Sequence, residues 1–85
     1  MRLVVSNIPL MGKPITHHSI LLKFGQKMQK VRQSRGISQE KLAELLSMHR
    51  TYIGLIERGE RNPTIRTLYK VAKALKVPAS ELLPF

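Results

Sequence analysis

The stretch from Ser38 to Pro63, SQEKLAELLSMHRTYIGLIERGERNP, constrains the fold more than any other part of the chain. Leu42, Ala43, Leu46, Met48, Ile53 and Ile56 recur at helical spacing on either side of a tight break, so two short helices can bury one shared face. In the second of these, at about 100° per residue, Arg50, Thr51, Gly54 and Arg58 project together while Ile53 and Ile56 project the other way. The outward set holds arginines and a hydroxyl, with no acid among them. A basic, hydrogen-bonding face that opens at the N-terminus of a short helix is what a DNA major groove accepts. The pattern therefore points to a DNA-binding module.

Composition agrees. The 85 residues make one domain, with room for a compact helical core and none for a second. The formal net charge is +10, and the acids Glu40, Glu44, Glu57, Glu60 and Glu81 all fall from residue 40 onward. Such a charge favours a polyanionic partner, because each phosphate neutralised releases counterions; alone it would suit DNA, RNA or an anionic membrane equally. The chain has no cysteine, which excludes a disulfide framework and a thiolate metal site and suits a reducing cytoplasm. Its apolar runs fall far short of the ~20 residues that span a bilayer. The start MRLVVSNIPLMGK, interrupted by Asn7 and Pro9, does not read as a signal peptide. A cytoplasmic protein without a membrane partner is expected.

Residues 1–18 carry Pro9, Gly12 and Pro14 without a sustained period and are expected to form a flexible arm; a short strand over Leu3 to Val5 is the competing reading. His17 and His18 lack a third ligand and make a poor metal site, so no metal is expected. The domain proper is read as residues 19–85. Leu21, Phe24, Met28 and Val31 mark a first helix from Ser19, its expected N-cap, to Ser34, with Gly36 as the left-handed stop. Ser38 caps a helix over 39–46, and Ser47 and Met48 turn the chain. His49, an unusual and weak cap, opens the helix over 50–58. After Gly59 and Pro63, Thr64 caps a fourth helix over 65–75, and residues 79–83 allow one further turn. The expected fold is all-α, with five helices joined by short loops and an N-terminal arm.

From Phe24 to Leu83 the segments FGQKMQKVRQSRGISQEKLAELL, TYIGLIERGERNPTIRTLYKVAKALKV and SELL resemble the Cro and repressor type of helix-turn-helix domain, often called XRE-like. Ile56, Glu57, Arg58, Gly59, Glu60, Arg61, Asn62 and Pro63 match the motif that closes the family's recognition helix. The resemblance implies that Arg50 and Thr51 contact bases, an arginine there pairing with O6 and N7 of guanine. Leu55 stands where relatives carry a polar reader and would offer at most contact with a thymine methyl. Gly54, either admitting close approach of DNA or merely tolerated, departs from the pattern. Gln39 matches a phosphate-binding glutamine at a helix N-terminus. Arg61 and Asn62 match backbone-contacting positions, as does Tyr52, for which half-buried packing competes equally. Arg58 on the outward face and Lys27 on the first helix are further phosphate candidates. Arg32 and Glu57 match a pair that ties the first helix to the recognition helix.

The implied function is a homodimeric, sequence-specific transcriptional regulator on a pseudo-palindromic operator. Its dimer would form through Tyr69, Leu82, Leu83 and Phe85. Arg50 to Ile53 tilts the resemblance toward the controller proteins of restriction-modification systems, with phage-type repressors close behind. The alternative is an antitoxin or other interaction module whose main partner is a protein. No paired carboxylates, activated nucleophile or glycine-rich phosphate loop suggests an enzyme, and no cofactor is implied.

Overall fold

The computed structural model describes residues 17–85. Over them the chain is helical: α1 (His17–Ser34), α2 (Gln39–Leu46), α3 (Arg50–Glu57) and α4 (Ile65–Leu75), followed by a single 3-10 turn over Ala79–Glu81. The expected strand and most of the expected arm lie outside the described residues. Helix α1 starts at His17, so Ser19 stands inside its first turn and is not the N-cap.

The remaining boundaries follow local chemistry. Ser38 Oγ accepts from the Lys41 N–H at 2.9 Å, and Thr64 Oγ1 accepts from the Thr67 N–H at 3.0 Å, each satisfying a donor that the first turn of a helix leaves without a partner. His49 performs the same task for α3 through Nδ1, which accepts from the Thr51 N–H at 3.1 Å. Gly36 adopts φ +69 at the end of α1, and Ser47 takes the left-handed conformation between α2 and α3 with φ 56. The fifth element is shorter than expected. Pro78 precedes it, and the Leu82 N–H bonds back to the Ala79 carbonyl, which tightens the chain into a 3-10 turn instead of an α-helix.

One core joins all of these elements. Phe24 and Met28 of α1, Leu42, Ala43 and Leu46 of α2, Ile53 and Ile56 of α3, and Val71, Ala72 and Leu75 of α4 are buried together with Leu82. Leu82 was expected at a dimer surface, yet it is 0% exposed and belongs to this core. The reason is the 3-10 turn, in which residues three apart eclipse, so Leu82 stacks on the same side as Ala79, itself packed against the core.

Two glycines set how closely α1 approaches α3. A Cβ on Gly25 would lie 2.5 Å from the carbonyl oxygens of both Ile56 and Glu57, so only glycine lets the two backbones meet there. Gly59, at φ +76, reverses the chain after α3, and a Cβ on it would fall 2.9 Å from the Leu22 backbone.

Candidate nucleic-acid interface

The site begins with what holds α3 in place. Arg32 Nε lies 2.6 Å from Glu57 Oε2 and Arg32 Nη2 lies 3.2 Å from Glu57 Oε1, a two-point contact between side chains only 9% and 1% exposed. Arg32 Nη1 also donates to the Ile37 carbonyl at 2.7 Å. Gln39 Nε2, at the start of α2, donates to Glu57 Oε1 at 2.9 Å. The buried carboxylate at the end of α3 is thereby tied to α1 and α2 at once. A buried ion pair of this kind adds little net stability over apolar packing, but losing one member strands the other.

On the outer side of α3, Arg50, Thr51 and Arg58 are exposed, while Ile53 and Ile56 are buried. Arg58 itself follows the last residue of the helix as its C-cap. Gly54 lies between them and is buried: the Arg58 guanidinium covers it, with Nη1 3.1 Å from where a Cβ would stand. The Gln39 side-chain oxygen comes within 3.9 Å of the same point. Gln39 therefore bridges the buried pair and the outer face. Leu55 and Tyr52 are half-buried, and Tyr52 packs against the edge of the core. Arg61 and Asn62 are exposed in the loop after α3.

Two features of this surface were not evident from the helical spacing. Carboxylates from outside α3 reach its outer arginines: Glu40 Oε2 of α2 lies 3.2 Å from Arg50 Nε, and Glu60 Oε2 of the following loop lies 3.2 Å from Arg58 Nε. Projection along one helix cannot show what neighbouring elements contribute. The only signal was that Glu40 and Glu60 flank the arginine-bearing helix in a chain poor in acids. Lys27, expected on phosphate, donates from Nζ to the Leu83 carbonyl at 2.9 Å, next to the C-terminal residues.

Away from α3, Tyr69 is 61% exposed, Phe85 89% and Ile65 81%, while Leu83 is half-buried. Ile65 and Tyr69 line an apolar hollow with Leu68, Ala72, Val77 and Pro78. Lys73 Nζ sits 5.5 Å from the centre of the Tyr69 ring. Among the described residues, no group of three or more His, Cys, Asp or Glu side chains is placed to hold a metal. No helix among them is long and apolar enough to cross a membrane.

Comparisons with known proteins agree with this geometry. The family described as Helix-turn-helix (HTH_3) matches residues 28–82. The control protein C.BamHI of Bacillus amyloliquefaciens is 48% identical over 69 residues, spanning 80% of this chain and 85% of that protein. Among solved structures, the restriction-modification controller protein C.AhdI from Aeromonas hydrophila superposes with a TM-score of 0.72 at 43% identity, covering 74% of this chain and 96% of that one. The controller protein C.Esp1396I, solved as a tetramer on its natural 35 base-pair operator, gives a TM-score of 0.67 at 38% identity, covering 74% and 83%. With a matched core, a capped turn and a buried pair seating α3, the chain belongs to the XRE-like helix-turn-helix family of DNA-binding transcriptional regulators.

Proposed function

We propose that the protein is a homodimeric regulator that reads a pseudo-palindromic operator through α3 and serves as the controller of a restriction-modification system. The observation that carries this reading is the seating of α3. Ile53, Ile56 and Glu57 are locked inward, so Arg50, Thr51 and Arg58 face outward from a fixed helix. Arg50 and Thr51 at its head read base edges. Gln39, Tyr52, Arg58, Arg61 and Asn62 hold the backbone, and Gly54 and Leu55 lie along the rest of the groove-facing side.

Reading by one helix covers only ~3–4 base pairs, too few to single out a site, and a second copy supplies the missing information. Tyr69, Ile65 and Phe85 are large exposed apolar side chains with no covering element among the described residues, and the interface is assigned to them, with Leu83 at its edge. The assignment to restriction-modification control rests on the similarity to C.BamHI and C.AhdI. Phage-type repression is the second reading, supported by 37% identity over 62 residues to the immunity repressor of Bacillus phage phi105.

Selection of bound duplexes from a random pool tests the proposal. Two inverted half-sites with centres about 10 base pairs apart, or a multiple of that, are expected. A pool that enriches no sequence, or a single unrepeated half-site, contradicts it.

A further inference from the structure

The chain holds 15 Lys and Arg residues against 5 Asp and Glu residues, so a carboxylate beside any particular base is scarce. Two of those acids stand against the outer arginines of α3: Glu40 on Arg50 and Glu60 on Arg58. The acids come from different elements, one from α2 and one from the loop after α3, yet each reaches the guanidinium Nε at 3.2 Å. Arg61, placed on the backbone side of the same surface, has no carboxylate partner among the described residues. Of Arg50, Arg58 and Arg61, the first two thus have a carboxylate alongside and the third has none among the described residues.

We infer that Glu40 and Glu60 are specificity-determining residues, which suppress binding to arbitrary DNA by cancelling the charge of Arg50 and Arg58 towards phosphate while leaving the short-range reading of bases by Arg50 intact. This rests on the reading of α3 as the recognition helix.

The physical distinction is one of range. Attraction to a phosphate depends on net charge and on counterion release, and it carries no sequence information. An arginine with a carboxylate 3.2 Å away presents almost no net charge to a phosphate, and the carboxylate itself is repelled by one. A guanine edge is recognised differently. Its O6 and N7 accept two directed hydrogen bonds at contact distance, which depend on local geometry more than on net charge. On a correct site Arg50 exchanges its carboxylate for a base edge; on a wrong one it exchanges it for nothing comparable. Discrimination is a difference between two affinities, and a charge that penalises the wrong site enlarges it. The arginine and glutamate side chains are more than half exposed, so the exchange needs no change in the fold.

The test compares Glu40→Gln, Glu60→Gln and the double variant with the wild type, each titrated at fixed salt against the duplex enriched from the random pool and against a scrambled duplex of equal length. Glu44→Gln is the charge-matched control: Glu44 lies on α2, but its partner at 3.5 Å is Lys41, which is not on α3. For the double variant, affinity for the scrambled duplex should rise roughly three- to tenfold, the scale on which exposed ion pairs act. Affinity for the enriched duplex should rise less, so that the ratio between them falls. When the scrambled titration is repeated at several salt concentrations, its salt dependence should steepen by about one ion released for each arginine set free. Glu44→Gln should leave the ratio where it was.

Equal gains on both duplexes, or no gain on either, would overturn the inference. So would weaker binding to the enriched duplex with scrambled binding unchanged, because the acids would then be making contacts of their own. A wild-type protein that binds both duplexes alike would instead remove the recognition role of α3, an outcome the wild-type titration shows before any variant is made.

Discussion

At Glu57 the carboxylate accepts from Arg32 of α1 and Gln39 of α2 while its own backbone ends α3, so three helices meet on one buried charge. Replacing Arg32 or Glu57 by alanine should cost roughly 3–5 kcal/mol, because the remaining charge has no other buried counter-ion among the described residues. The double replacement Arg32→Met with Glu57→Leu should be less destabilised than either alanine variant, and urea denaturation of all three measures the difference. Gln39 carries a double duty. The sequence suggests only a phosphate contact, but its bond to Glu57 means that Gln39→Ala should lose about 1–2 kcal/mol of stability as well as weakening all duplexes alike. Binding must therefore be measured well below its melting temperature. The Arg32 and Glu57 pairing was legible only through the family pattern, whereas the third member of the cluster needed the fold.

Among the elements, the helices were legible wherever a local rule acts. Ser38, Thr64 and Gly36 announce ends because their side chains, or the lack of one, satisfy the backbone within a few residues. The start of α1 and the nature of the last turn depended on more distant packing. Leu82 was expected at a dimer surface from its place near the chain end, but the packing of the last turn against the core buries it. The two helix-borne glycines give a contrasting prediction. Gly25→Ala should cost about 3 kcal/mol or more, since its Cβ would collide with the α3 backbone, which cannot yield locally. Gly54→Ala should raise stability by up to ~1 kcal/mol, because it improves the helix and displaces only the exposed tip of Arg58. Thermal melts of the two variants should shift in opposite directions. If Gly54→Ala also weakens binding to the enriched duplex, glycine there admits DNA.

For the whole molecule, the proposed function gives the exposed apolar face around Ile65, Tyr69 and Phe85 to a second copy and the basic face of α3 to DNA. Tyr69→Asp should leave the monomer folded, since the side chain is 61% exposed, and should shift the protein to monomer in sedimentation equilibrium. Binding to a full operator should then fall to the level of a single half-site. The outward arginines of this face were legible from helical spacing alone, but the acids that accompany them were not, because they belong to neighbouring elements. The most direct test of the central claim, that α3 reads bases through Arg50, is titration of wild type and Arg50→Ala against the enriched duplex and a duplex altered at one base pair of each half-site. The wild type should discriminate between them, and Arg50→Ala should lose roughly 1–3 kcal/mol of that discrimination per half-site at one particular position while melting as the wild type does. Unchanged discrimination at every position would contradict the account.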